Sequence, residues 1–297
     1  MSKLVLQPRD LKLLDLLNRY NLMSTKQIQS LVFSRIADST MLRRLRLLEK
    51  NKYICQSAIL DNYSRTWQLS DRSLEVMPDA NVFKIYNRNT INHDILITEV
   101  RLKLEKINLG KDWVNGFDIK ARVTKDQNSF RKEHQLVPDG VMIAAMKKQH
   151  MAIAVELELT IKSKNRYLNL LENYDNNPKI NFVWYIFKGI SELKAFEKIL
   201  IDVRRKGKIW ISLLGDVLKN DDFRIYLISE GKWLQLSNIS FDEYKKPAHP
   251  DDLGVSNSNH VIEASENNSK SSELENNLEN VPGGGSASQD PDHTPPT

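Results

Sequence analysis

The sequence predicts a mixed α/β protein with two domains and a tail. Its length of 297 residues suits about two domains of ordinary size. Leucines recur at helical spacing near the N-terminus, and helix-like segments mix with strand-like runs between residues 92 and 236. We therefore place the domains at residues 1–80 and 81–246 and the tail at residues 247–297.

Three short helices are predicted in the first domain. Pro8 stands where the first turn of a helix tolerates proline, and leucines follow it at helical spacing. Ser24 or Thr25 is predicted to cap a second, short helix. Ser39 or Thr40 is predicted to cap a third helix that ends near residue 50.

A β-hairpin is predicted after the third helix. The runs KYICQSAIL and SRTWQLS are rich in strand-forming residues, and Asp61 and Asn62 between them suit a tight turn. Three helices followed by a hairpin is the element order of a winged helix-turn-helix, in which the third helix enters the major groove of DNA. The first domain is therefore predicted to bind DNA.

The third helix combines an apolar stripe with a basic side. Leu42, Leu45 and Leu48 lie three apart and are predicted to face the core, which leaves the arginines of this helix on its other sides. The predicted DNA contacts are these arginines and one in the hairpin: Arg43, Arg44, Arg46 and Arg65. Two alternatives stay open, because arginine is common on solvated faces and because this fold also mediates protein contacts.

Positive charge is concentrated before the tail. The chain carries +5 in total, but residues 251–297 hold nine acidic residues against Lys270, a net −8, which leaves +13 in the remainder. Such an excess suits a polyanionic partner such as double-stranded DNA. The tail is rich in Asn, Ser, Glu, Gly and Pro, and it is predicted to be disordered because it cannot bury enough apolar area to offset its ordering entropy.

Composition argues against several other classes of protein. No apolar run approaches the roughly 20 residues needed to span a bilayer, so we expect a cytoplasmic protein without membrane insertion. A single cysteine, Cys55, excludes an internal disulfide. The histidines form no HxH or HxxxH pair, and no GxxxxGK[ST] loop indicates use of ATP.

Acidic residues converge in the second domain. After a predicted strand around VNGFDIKARV comes the predicted hairpin LVPDGVMIAAMKKQHMAIAVELELTIKS, in which Glu156 and Glu158 share one face because side chains alternate along a strand. With a turn near Lys148, pairing brings Asp139 close to Glu158 and onto the same face. Converging carboxylates repel each other unless a cation lies between them, and oxygen ligands suit Mg²⁺ or Mn²⁺.

The VPDG and VELELTIK segments resemble the signature of PD-(D/E)xK nucleases, which have a restriction-endonuclease-like α/β fold. The resemblance implies that Asp139 and Glu156 hold the metal ion and that a lysine assists the phosphodiester chemistry. Glu158 stands where that lysine is expected, and Lys162, four residues later, is the candidate for its role. The implied catalytic residues are Asp139, Glu156, Glu158 and Lys162.

A wider set of motifs is similar to the replication-relaxation family and to the MobC-type relaxases of mobilisable plasmids. The set comprises the winged helix, the PDG and ExE motifs, and these residues: Asn92, His93, Asp94, Glu99, Arg166 and Tyr167. The resemblance implies a relaxase that nicks one strand of double-stranded DNA at an origin of transfer or replication. It also implies Glu99 as a third metal ligand and relaxosome or coupling proteins as partners.

Simpler interpretations of the same residues stay open. Asp139 before a glycine suits a turn, the two glutamates suit the exposed face of an edge strand, and Lys162 suits a surface ion pair with them. Two other functions are compatible with the pattern. One is a DNA-binding replication initiator or regulator with a degenerate nuclease fold, and the other is a restriction-type endonuclease that cuts both strands.

Overall fold

The structure is a computed structural model that describes residues 4–60, 64–80, 82, 88–110, 112–125, 136–146, 148–202 and 208–242. All of these residues belong to one compact unit, Met1–Ser256. The tail at 247–297, predicted to be disordered, and the predicted turn residues Asp61 and Asn62 lie outside the described residues.

The N-terminal elements form a winged helix, a name used here for residues 8–69. In chain order they are α1 (Pro8–Tyr20), β1 (Met23–Ser24), α2 (Thr25–Val32), α3 (Asp38–Lys50), β2 (Ile54–Ile59) and β3 (Arg65–Leu69). The three strands form an antiparallel sheet in the order β1-β3-β2. The predicted winged helix-turn-helix is therefore confirmed, with one short strand, β1, that the sequence analysis did not predict.

The N-caps of α2 and α3 differ from each other. Ser24 caps α2 as predicted: its hydroxyl accepts the N–H of Gln27 at 3.2 Å, while the side chain of Gln27 accepts the N–H of Ser24 at 2.8 Å. The prediction for α3 was wrong, because this helix begins at Asp38 with Ala37 as its N-cap. Asp38 in the first turn complements the helix dipole where no side-chain cap is present.

The remaining elements build a seven-stranded mixed sheet, the sheet domain. They are α4 (Arg88–Lys106), β4 (Trp113–Asn115), α5 (Gly116–Lys125), β5 (Gly140–Met146), β6 (Gln149–Glu158), α6 (Lys164–Asp175), β7 (Phe182–Phe187), α7 (Ile190–Asp202), β8 (Ile209–Leu213), α8 (Leu214–Lys219), β9 (Arg224–Leu227) and β10 (Lys232–Gln235). The strand order is β10-β9-β8-β7-β6-β5-β4, with β6, β7 and β8 parallel and the other pairs antiparallel. This arrangement confirms the predicted α/β fold class.

One predicted strand is mostly helical. The run VNGFDIKARV was predicted as a strand, but its strand part ends at Asn115, and α5 begins at the next residue. Asp118 in the first turn of α5 suits the positive end of the helix dipole. Ile119 then packs against the core, so burial also favours the helix.

Both faces of the sheet are covered. One core lies under α4 and α8 and includes Val155 and Leu157, whereas the other lies under α6 and α7 and includes Ala152 and Ala154. Side chains alternate along β6, so its even-numbered residues face α6. Glu156, which has the same parity as Ala154, therefore points to the side of the sheet that carries α6.

Candidate active site

Asp139 lies directly before β5 and opposite Glu156 of the neighbouring strand. The register pairs Gly140 with Val155 and continues to Met146 and Gln149, so the next position before Gly140 faces Glu156. The sequence predicted Asp139 close to Glu158, whereas the residue directly opposite Asp139 is two positions earlier on β6. The pairing ends at Met146 and Gln149, which shifts the partner of Asp139 by two residues. An even shift leaves Asp139 on the same face as both glutamates.

Gly140 makes room for a tryptophan beside Asp139. A Cβ atom at Gly140 would lie 2.0 Å from Cζ2 of Trp113, the first residue of the neighbouring strand β4. This distance is far below van der Waals contact, so the glycine of the PDG motif is required for packing. The motif therefore does more than supply a turn, which was its simpler interpretation.

His93 and the backbone of β6 hold the Asp139 carboxylate. Oδ2 of Asp139 accepts the N–H of Leu157 at 2.8 Å and lies 3.1 Å from Nε2 of His93. Burial alone would lower the pKa of His93, but its bonds to Asp139 and Asp94 outweigh burial and raise that pKa to about 10. The two carboxylates thus favour the imidazolium form of His93. The sequence analysis did not select it as a site residue, although its place beside Asp94 at the start of a helix was visible.

Glu156 is buried next to the charge of Asp139. Its side chain accepts a hydrogen bond from the hydroxyl of Tyr174, on α6. Burial, followed by the nearby negative charge of Asp139, raises the pKa of Glu156 to about 8. A cation near Glu156 and Asp139 would relieve the repulsion between their negative charges.

Glu158 pairs with the lysine that the sequence analysis selected. Strand β6 ends at Glu158, and Lys162, which lies before α6, donates from Nζ to Oε1 of Glu158. Burial raises the pKa of Glu158 even though the charge of Lys162 opposes the shift. The hydroxyl of Tyr167 accepts the backbone N–H of Lys162 at 3.4 Å, which helps to fix this segment. A lysine ammonium thus lies beside the carboxylates. This position is the one that Lys162 needs if it takes the role of the lysine expected at position 158.

These side chains line one cavity of about 670 Å³, here called the cavity. Its acidic lining residues are Asp94, Asp139, Glu156 and Glu158, and its basic lining residues are His93, Arg101, Lys120, Lys162 and Arg166. A site with this distribution can hold a phosphate backbone with its cations and activate water with its carboxylates.

The structure does not bring Glu99 to this group. Glu99 is six positions after His93 on α4, which turns it to a different side of the helix. It is absent from the described lining of the cavity, and burial raises its pKa against the opposing charge of Lys26 of the winged helix. The resemblance implied that Glu99 of α4 lies beside Asp139. The residue of α4 that contacts Asp139 is instead His93.

The oxygen donors of the cavity are few for a metal ion. Within the described ranges, no group of three or more His, Cys, Asp or Glu side chains is arranged around a common point. Asp139 and Glu156 nevertheless supply oxygen donors on facing positions, and oxygen is the donor that hard divalent cations prefer. Two protein carboxylates could hold Mg²⁺ or Mn²⁺ here only if water or substrate oxygen supplied the remaining ligands.

The basic residues of the winged helix divide into two groups. Arg43 and Arg46 are exposed on α3. Arg44 is not available to DNA as predicted, because its guanidinium forms a buried ion pair with Asp10 of α1, and Nε lies 3.0 Å from Oδ1. Helical spacing could not distinguish these positions, since the acidic partner is 34 residues away in sequence.

A shallow basic concavity is lined by α2, α3 and the hairpin. Its volume is about 390 Å³, and Arg46 and Arg65 line it together with Lys26 and Gln29 of α2. Lys26 is exposed and was not selected from the sequence, where it shows no pattern that separates it from other surface lysines. Two of the four predicted DNA contacts therefore share one surface with a lysine from the preceding helix.

Comparisons with known proteins identify no family for this chain. No family model matches it, and no curated protein matches it. A solved structure of restriction endonuclease FokI bound to DNA aligns at a TM-score of 0.23 and 14% identity, covering 72% of this chain and 44% of that chain. Within the described residues, no helix is both long and apolar enough to cross a membrane.

Proposed function

We propose that this protein is a metal-dependent DNA nickase of the relaxase type, which binds a specific duplex site through the winged helix and cuts one strand at the cavity. The observation that carries the proposal is the position of Asp139 opposite Glu156, beside Lys162 in a cavity with basic walls. The finer part of the proposal is that the site is an origin of transfer or replication, where relaxosome or coupling proteins would also assemble.

Asp139 and Glu156 would hold Mg²⁺ or Mn²⁺. Such an ion, when bound, polarises a phosphate and lowers the pKa of water. His93 orients the carboxylate of Asp139, and Tyr174 orients that of Glu156, through the hydrogen bonds described above. These contacts fix two side chains before substrate binds.

Glu158 and Lys162 would act on the attacking water and on the scissile phosphate. Lys162 carries a positive charge into the cavity, where it can offset charge that develops on the phosphate oxygens. Glu158, bonded to Lys162, can accept a hydrogen bond from the attacking water. Arg166, at the start of α6, lies in the same lining and can hold a neighbouring phosphate.

DNA targeting would rest on Arg43, Arg46 and Arg65. Arg43 and Arg46 are exposed on α3, the helix that enters the major groove in this fold. Arg65, in the hairpin, shares the concavity with Arg46. Arg44 is left out of this set because it is engaged by Asp10.

The test is incubation of purified protein with a supercoiled plasmid that carries the origin of the protein's own genetic element. With Mn²⁺ or Mg²⁺, the expected product is the nicked circle, and the variants Asp139→Asn and Glu156→Gln should lose it while still binding the site. A linear product would indicate a restriction-type endonuclease that cuts both strands. Unchanged nicking by either variant would contradict the assignment of these carboxylates.

A second candidate is a DNA-binding initiator or regulator in which the nuclease fold is a scaffold. It is favoured by the internal neutralisation of the site, since Lys162 pairs with Glu158 and His93 pairs with Asp139. Cations of the chain itself then take the place of a metal. This candidate predicts sequence-specific binding of DNA with no strand scission in Mg²⁺ or Mn²⁺.

A further inference from the structure

Arg101 lies buried where the winged helix meets the sheet domain. It is 4% exposed, and its Nη1 donates to the carbonyl of Arg19 at 2.7 Å and to Oδ1 of Asn115 at 2.9 Å. Its Nε donates to Glu105, one turn further along α4, at 2.8 Å. One guanidinium thus joins the end of α1, the middle of α4 and the end of β4.

The partners of Arg101 are also bonded to one another. The ring of Tyr20, the last residue of α1, lies 4.6 Å from the guanidinium carbon of Arg101, and its hydroxyl donates to Glu105. Nδ2 of Asn115 donates to the carbonyl of Arg19 at 3.0 Å. A closed, partly buried network of this kind holds its members in one arrangement, because displacement of one member breaks several of these hydrogen bonds together.

Contacts between the winged helix and α4 continue toward the start of that helix. The side chain of Gln27 donates to the carbonyl of Ile95 at 3.2 Å, and the hydroxyl of Thr98 lies 3.4 Å from the carbonyl of Leu22. Leu22 also packs against Ile95. The first turns of the same helix carry His93, so α4 connects the winged helix with the carboxylates.

The winged helix forms part of the wall of the cavity. Tyr20, Arg101 and Asn115 all line the cavity that contains Asp139 and Glu156. A movement of α1 relative to the sheet domain would therefore change the shape of the cavity itself. DNA held by the winged helix would shift with it.

We propose that Arg101 is a positioning residue that holds the winged helix at one fixed distance from the cavity. A DNA strand that reaches the cavity then lies a set number of nucleotides from the sequence that the winged helix binds. This inference rests on the proposed function in two respects: that the ligand is DNA, and that the fixed distance sets the position of the cut. Its own claim concerns where bound DNA lies, and it can be tested without cleavage by the protein.

The experiment maps bound DNA with an iron chelate attached at the edge of the cavity. Thr160 is exposed and lines the cavity, so Thr160→Cys in a Cys55→Ser background gives one attachment point. The DNA ligands are duplexes that the protein itself selects from a random-sequence pool. Hydroxyl radicals from the chelate should cut the selected duplexes in one narrow cluster of nucleotides at a constant offset from the selected sequence.

Substitutions at the buried network should remove that single cluster. Arg101→Met combined with Glu105→Gln removes both charges together, and Arg101→Lys should restore part of the narrow cluster. Asn115→Ala removes the hydrogen bonds to Arg101 and Arg19 from a half-buried position. This variant tests the inference if the double variant does not fold. Lys106→Met, at a cation 70% exposed on the same helix, is the control and should keep the narrow cluster.

A narrow cluster at an unchanged offset in the Arg101 and Asn115 variants would overturn the inference, as would failure of the protein to select any duplex. The proposed function is tested separately with the protein that carries no chelate. If that protein does not nick DNA in Mn²⁺, the proposed function fails. A protein that selects duplexes and shows the cluster without nicking would support the inference and count against the nickase.

Discussion

Nε2 of His93 lies 3.1 Å from Oδ2 of Asp139, and the same oxygen accepts the N–H of Leu157. Two elements far apart in sequence therefore hold one carboxylate against the wall of the cavity. His93→Ala should lower the nicking rate by about 10- to 100-fold, the usual effect of removing a group that orients a metal ligand. His93→Gln, which keeps a donor, should lose less, and DNA affinity in a gel-shift assay should not change. A rate equal to that of the original protein in His93→Ala would contradict this role.

The pH dependence of stability should report the same contact. The pKa of His93 is raised from 6.5 to about 10, so its contribution is fully present below pH 6.5 and is lost as pH rises toward 10. We expect the melting temperature of the metal-free protein, measured in chelator, to fall over this window. The fall should be shallower in His93→Gln, which has no group to deprotonate. Glu156, whose pKa is raised to about 8, adds a loss of the same sign in both proteins. Parallel curves for the two proteins would exclude the His93 contribution.

Local patterns in the sequence were sufficient for most elements, although not for β1 or α5, but they did not identify the partners of individual side chains. The helix beginning at Pro8, the cap at Ser24 and the hairpin strands follow from spacing and from residue type, and the structure has them. Alternation along β6 also placed both glutamates on one face. The residue that faces Asp139 depends on the position of the turn between β5 and β6, which the sequence does not fix to the residue.

Tertiary neighbours account for the differences at the candidate sites. Arg44 lies one position from an exposed arginine, yet its side chain reaches Asp10 of a helix that only the fold brings close. Glu99 and His93 are both on α4, and the packing of that helix against the winged helix and the sheet decides which of them faces Asp139. Helical periodicity predicts neither the ion pair of Arg44 nor the choice between His93 and Glu99.

Arg44 should stabilise the fold and not contribute to DNA recognition. Asp10 is fully buried, so Arg44→Met would leave a buried carboxylate without its cation. We expect a loss of about 3–5 kcal/mol in the free energy of unfolding, measured by urea denaturation. The double variant Arg44→Met with Asp10→Leu should recover much of that loss, because both charges are then gone. Full stability in Arg44→Met alone would rule out the ion pair as a stabilising contact.

Arg43 and Arg46 should affect DNA binding without affecting stability. Both are exposed on α3, and neither is needed in the core. If Arg43→Ala removes a phosphate contact, affinity should fall for all sequences and the slope of log K against log salt should decrease by about 1. If Arg46→Ala removes a base contact, discrimination against altered sites should fall by about 1–3 kcal/mol. Lys50→Ala, an exposed change at the end of the same helix, is the matched control. Unchanged affinity in both arginine variants would move the DNA interface away from α3.

The central claim is that Asp139 and Glu156 together bind a divalent cation. Titration of the protein with Mn²⁺, followed by the electron paramagnetic resonance of the free ion, measures this directly. We predict one bound ion in the original protein, and loss of that ion in both Asp139→Asn and Glu156→Gln, with Glu99→Gln retaining it. Equal Mn²⁺ binding by the original protein and by Glu156→Gln, or no bound ion in the original protein, would contradict the account.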